Sequence, residues 1–201
     1  MNVTAVTPSA GGFLTVHPCG IATPNASNLN YTTGVNTANL VITRAANDGS
    51  VCIFTSQATH LIVDVVGYYS HNTAPGPSLM RTVNPGRLVD TRATGATTDN
   101  RYENTGVLVA NATTTYQITN RFPVASANVA VLNITAVNPA ATGFLTIWPC
   151  DQPKPNASSL NYTAGVNRAV QVLTKLSRSG TVCVSSSQTT HLIIDVNGTT
   201  V

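Results

Sequence analysis

Short runs rich in Val, Ile, Leu and Thr alternate with clusters of Gly, Pro, Asn and Asp along the whole chain. Within the runs the apolar positions recur at every second residue, as in Leu61, Val63 and Val65 or Leu192, Ile194 and Val196. A period of two is the mark of a strand with one face on a core. The pattern predicts strands over 2–7, 13–17, 28–32, 39–45, 50–55 and 60–68, and again at the same positions displaced by 131. Further strands are predicted over 80–84, 87–91, 107–110, 114–119 and 127–132. Asn47-Asp-Gly49 predicts a hairpin turn between 39–45 and 50–55, and Arg178-Ser-Gly180 repeats it. Asn72 to Ser78, with Pro75 and Pro77, reads as a linker. No stretch predicts a helix. No apolar run approaches the roughly 18 residues of a membrane span.

The displacement by 131 is an internal repeat. Asn2-Val-Thr-Ala-Val6 aligns with Asn133-Ile-Thr-Ala-Val137, Gly12-Phe-Leu-Thr-Val16 with Gly143-Phe-Leu-Thr-Ile147, and Thr59-His-Leu-Ile-Val-Asp-Val65 with Thr190-His-Leu-Ile-Ile-Asp-Val196. Residues 1–70 and 132–201 align without a gap, and 38 of the 70 positions are identical. A period of this size is that of a domain, not of a solenoid unit of ~20–50 residues. The expected architecture is therefore all-β, an antiparallel sandwich of the jelly-roll or immunoglobulin-like sort, in one and a half tandem units. Residues 1–70 form the second half of a unit, 71–79 a linker and 80–201 a complete unit. Met1 stands where the second copy has Leu132, in the middle of a predicted strand. The half-unit is expected to be completed either by residues 71–131 or by a neighbouring chain through strand addition, which predicts head-to-tail self-association.

Composition narrows the class further. Only 8% of the 201 residues are charged and 42% are hydrophobic, against about 25% charged in ordinary soluble domains. Thr (31) and Asn (20) take the place of charge. Such a chain lacks the charge of a disordered tail and the Glu, Lys and Leu of a coiled coil. The net charge of +3 is spread out, with no basic stripe, so no nucleic-acid partner is expected. No basic and apolar leader follows Met1, so the reading contains no signal peptide; a secreted protein would be present here in mature or trimmed form.

The cysteines follow the repeat. Cys19 and Cys52, like Cys150 and Cys183, lie 33 residues apart, and no CxxC motif suggests zinc. Disulfides Cys19–Cys52 and Cys150–Cys183 are expected, with buried free thiols as the alternative. Disulfides point to an extracellular or cell-surface location.

The segment Arg87-Leu-Val-Asp-Thr-Arg92, followed by Gly143-Phe-Leu-Thr146, Pro155-Asn-Ala-Ser158 and Thr190-His-Leu-Ile-Ile-Asp-Val196, resembles a repeated β-rich module of large bacterial secreted and cell-surface proteins. Units of that family open near an R-L-L-D-T-R motif and close near V-D-V-x-G-Y-F. Val65-Val-Gly-Tyr-Tyr69 fits the closing motif; Val196-Asn-Gly-Thr-Thr200 departs from it, so the last strand of the second copy is expected to be frayed or altered. The resemblance implies an exported, non-catalytic accessory or array module and carries no site residues.

Four constellations bear on chemistry. Ser56, His60 and Asp64 recur as Ser187, His191 and Asp195 and invite a triad reading. On a strand rising ~3.3 Å per residue the His and Asp stand ~13 Å apart, far beyond hydrogen-bond reach. They read as structural polar residues, with Leu61, Val63 and Val65 facing the core. Asp90 and Arg92 share a strand face and read as an ion pair, with a carboxylate in a sugar or calcium site as the alternative. Asp99, Asn100 and Glu103 form a poor calcium cluster with Arg101 inside it. Asn30 and Tyr31, repeated as Asn161 and Tyr162, combine an aromatic face with planar amides and are the candidate carbohydrate platform. The Asn-x-Ser/Thr sequons, among them Asn25 and Asn156, follow from composition. His17, Trp148 and His71 read as local packing or surface residues. No cofactor, metal or enzymatic activity is expected. The leading expectation is an extracellular structural or adhesive module in a tandem array or self-assembling filament, and the alternative is a carbohydrate-binding module.

Overall fold

The computed structural model describes residues 1–68 and 80–200. The linker 71–79, Tyr69 and His71 lie outside the described residues. The chain is all-β and divides into two compact units, Met1–Val66 and Gly67–Val201.

The second unit holds eight strands among its described residues: β7 (Met80–Asp90), β8 (Thr113–Gln117), β9 (Val129–Val137), β10 (Gly143–Pro149), β11 (Leu160–Tyr162), β12 (Arg168–Lys175), β13 (Thr181–Ser186) and β14 (His191–Thr200). They form two antiparallel sheets in the orders β12-β9-β14-β7 and β11-β10-β13-β8. Alternation places Leu132, Ile134, Leu192, Ile194 and Val196 of one sheet with Leu145, Val182 and Val184 of the other in a common core. Leu88, Val89, Tyr116 and Ile118, from the stretch that has no counterpart in the first copy, complete it. The result is a sandwich, as the alternation predicted.

The first unit holds β1 (Asn2–Val6), β2 (Gly12–Pro18), β3 (Leu29–Tyr31), β4 (Thr37–Leu40), β5 (Val51–Thr55) and β6 (His60–Asp64). Its sheets are β4-β1-β6 and β3-β2-β5, the second unit's sheets with the places of β7 and β8 left out. Its core is correspondingly small: Val3, Ala5, Leu14, Val16, Leu29, Tyr31 and Val41. Among the described residues β5 and β6 each pair on one side only.

Both disulfides form, Cys19–Cys52 and Cys150–Cys183. Each joins the end of one strand to its hydrogen-bonded neighbour, since His17 lies opposite Cys52 and Trp148 opposite Cys183. Both predicted turns close with a left-handed glycine, at Gly49 (φ 83°) and Gly180 (φ 76°), but neither makes a hairpin: β4 and β5, like β12 and β13, lie in different sheets, so each turn crosses between the layers of its sandwich. At Gly180 a β-carbon would also stand 1.7 Å from the Thr119 hydroxyl.

Several boundaries move. The strands predicted over 80–84 and 87–91 are one strand, β7. Pro85 sits within it because β7 is an edge strand, where a missing N–H breaks no ladder. The pairing absorbs the irregularity with register shifts at Ile194/Asp195 and Val196/Gly198. The segment 107–110 makes only an isolated bridge, Leu108 to Thr190. The second copy's last strand is not frayed: β14 runs to Thr200, held by β9 and β7 on its two sides. In the first copy, which fits the closing motif better, the strand ends at Asp64.

Candidate functional site

The polar site of the second unit is built where β7 meets β14. Arg87 stands opposite Asp195 in the register. Its Nε and Nη2 donate to the two Asp195 carboxylate oxygens at 2.8 and 3.4 Å, and its Nη1 donates to Asp90 at 3.2 Å. Asp90 is fully buried and also accepts from Arg92 Nε and Nη2 at 2.8 and 2.7 Å. The Arg92 hydrogen bonds hold the Asp90 carboxyl below the usual carboxylate range. The Asp195 contact in turn raises the Arg87 guanidinium. Gly95 permits the turn around this carboxylate, because a β-carbon there would stand 2.4 Å from the Asp90 carbonyl oxygen.

The same motif supplies Thr91. Its hydroxyl accepts from the Leu192 amide at 2.9 Å and bonds His191 Nδ1 at 3.2 Å. Thus Arg87 and Thr91 together cover the β14 face that carries His191, Ile193 and Asp195, while Leu192, Ile194 and Val196 enter the core. Beside them lies an open hollow of about 530 Å³, lined by Arg87, Asp195, Asn133, Asn197, Pro85, Gly86 and Ala96.

The triad residues go to separate partners. Ser187 Oγ accepts from the Phe144 amide and Ser56 Oγ from the Phe13 amide, each at 2.9 Å. His191 and Asp195 are tied to β7. Asp90, considered for sugar or calcium, has both carboxylate oxygens engaged by arginine. Asp99 is clamped by Arg121 at 2.7 and 2.5 Å, and Glu103 accepts from the Thr97 amide at 2.9 Å. These carboxylates anchor the loop between β7 and β8.

The carbohydrate platform is corrected. Tyr31 and Tyr162 are 5% and 2% exposed. Their hydroxyls bond Thr55 at 2.7 Å and Ser186 at 2.6 Å, so the rings brace the inside of each sandwich and present no face to a sugar. Asn161 donates to Ser158 at 3.3 Å, and the exposed ring opposite Asn30 across the sheet is Phe13, not Tyr31. His17 and Trp148, aligned by the repeat, are both buried; the Trp148 indole donates to the Gln152 carbonyl at 3.2 Å.

The first unit carries the same acceptor side without the donor side. Asp64 matches Asp195, and its Oδ2 is buried with no hydrogen-bond partner among the described residues. Desolvation raises its pKa. Leu61, Val63 and Val65 were expected in the core. They are 40, 41 and 76% exposed, where Leu192, Ile194 and Val196 are fully buried. Ile62 on β6 and Phe54 on β5 are also exposed, on the opposite, outward faces of their sheets. The cause is the absent neighbour: in the second unit β7 and the loop after it cover β14, and β8 covers the edge of β13. Sequence reading named Asp64 but missed that Arg87, the partner of its twin, has no equivalent in residues 1–70. The repeat alignment carried that signal.

No protein-family model matches the chain, and no curated protein matches it.

Proposed function

We propose that this chain is a non-catalytic extracellular structural or adhesive β module that works in a tandem array or surface filament, joined through its strand edges. One observation carries the reading: the first unit exposes the apolar edges β6 and β5, whose twins β14 and β13 are covered by strands. Exposed, unpaired strand edges are templates for pairing with another chain, and folded proteins that use them do so for assembly. The low charge supports the same reading, since sheets of Thr and Asn repel one another little. Two disulfides suit an oxidising extracellular compartment. The resemblance of Arg87–Arg92 and Thr190–Val196 to bacterial surface modules points the same way. Sedimentation velocity over a hundredfold range of concentration, with electron microscopy of the most concentrated sample, tests it. Growing oligomers or filaments are expected; a monomer throughout would sink the proposal.

A further inference from the structure

The assembly reading leaves open what pairs with β6, and the second unit indicates the chemistry of the occupant. β14 is β6 with its neighbour present. That neighbour, β7, supplies three things at once: a hydrogen-bonding backbone, apolar cover through Leu88 and Val89, and an arginine for the strand's carboxylate. The first unit lacks all three on the same strand. Leu61, Ile62 and Val63 are 40–47% exposed, and among the described residues β6 is unpaired on that side and Asp64 Oδ2 is buried without a partner.

The orphan carboxylate discriminates between occupants. Antiparallel edge-to-edge pairing of two copies through His60-Leu-Ile-Val-Asp64 would set His60 of one copy opposite Asp64 of the other, an imidazole that cannot give the bidentate contact a guanidinium makes. Exchange of β7 between copies leaves one strand unserved, because the described residues hold two acceptor strands, β6 and β14, and one β7. That β7 is already paired with β14.

We propose that the β6 edge of the first unit is an acceptor for an added antiparallel strand of the β7 type, from another polypeptide segment with an Arg-Leu-Val-Asp-Thr-Arg pattern, whose first arginine pairs with Asp64. The register follows from the repeat: the residue equivalent to Val89 lies opposite Val63, that equivalent to Arg87 opposite Asp64, and that equivalent to Gly86 opposite Val65. A bidentate guanidinium–carboxylate contact sets this register, because a slip of one residue would carry the arginine to the opposite face. The proposal rests on the assembly reading and narrows its partner.

The test titrates a fluorescently labelled synthetic peptide, Met80–Gln117, into the full chain and follows anisotropy and amide hydrogen exchange. Saturable binding of one peptide per chain is expected, with new protection on β6. Arg87→Gln in the peptide should weaken binding at least tenfold. Asp64→Asn in the chain should do the same, and the two changes together should weaken it no more than either alone. Asp195→Asn in the chain should leave it unchanged. The peptide variant cannot disturb the folding of the chain, so its result stands even where Asp64→Asn alters the first unit. Absence of saturable binding, indifference to both Arg87→Gln and Asp64→Asn, or protection appearing on β14 in place of β6 would each overturn the proposal. Filaments formed by a chain that ignores the peptide would retain the assembly reading and remove only this partner. A monomer that binds the peptide would do the reverse for self-assembly.

Discussion

Asp64 and Asp90 are both strand carboxylates, and their surroundings push them in opposite directions. Asp90 is held below its usual range by hydrogen bonds from Arg92, and Asp99 by those from Arg121. A carboxyl with a lowered folded pKa gives stability that is present above the unfolded value, near 3.8, and is lost as pH falls through the folded pKa. Asp64 is raised by desolvation, so the folded first unit binds its proton more readily than the unfolded chain does. Acidification from neutral pH should therefore first stabilise the first unit, in the window between the raised folded pKa of Asp64 and 3.8. Below that window the second unit should lose stability. Calorimetry in steps of pH would show the first unit's transition rising as pH falls toward 3.8 and the second unit's falling only below it; a second unit that gains stability above 3.8, or a first unit that does not, would contradict this assignment. A second residue difference concerns backbone strain. Thr7 and its twin Asn138 both have left-handed backbones, at φ 44° and 48°. Each amide is held by the side chain of a matched asparagine, Asn36 or Asn167. A β-branched residue is poorly suited to that region and asparagine tolerates it. Thr7→Asn should stabilise the first unit by about 1 kcal/mol, read as a rise in its denaturant midpoint with an unchanged slope.

β2 with β5, and β10 with β13, are pairs of adjacent strands locked at one end by disulfides. In the chain-entropy account each bond removes ~3–4 kcal/mol of freedom from the unfolded chain. The consequence differs between the two pairs. β13 is also flanked by β8 and buried, whereas among the described residues β5 pairs with β2 alone and is half-exposed. Cys150→Ala with Cys183→Ala should lower the second unit's stability by about 3 kcal/mol and leave it folded. Cys19→Ala with Cys52→Ala should leave the first unit largely unfolded at room temperature. Circular dichroism and urea titration of both variants would check this; equal losses would show that the missing neighbours of β5 and β6 matter little.

The two units together make one sequence design at two levels of completion. The second buries Leu88, Val89, Tyr116 and Ile118 in a core that the first builds without equivalents. Thermal unfolding should therefore show two transitions, the first unit melting lower, and hydrogen exchange should be fast in β5 and β6 and slow in β13 and β14. A single cooperative transition would indicate that the first unit draws its stability from the second.

Much of this was legible along the chain. Period-two alternation and the gapless repeat located twelve strands of two unequal copies, and the equal cysteine spacing located both disulfides, because these depend on local geometry and composition. The break between 80–84 and 87–91 was misplaced because Pro85 is disruptive only where its N–H is needed, and that depends on β7 being an edge. Tyr31 and Tyr162 looked like exposed platforms because an aromatic beside an asparagine reads alike on either side of a sheet; only packing turned the rings inward. The His60–Asp64 pattern and its twin are nearly identical in residues, yet one strand is buried and the other exposed. Local sequence determined that both would be strands, with their apolar and polar faces. Which of them would be covered, and which carboxylate would meet an arginine, was decided by tertiary structure, because both depend on a neighbouring strand that lies about a hundred residues away along the chain.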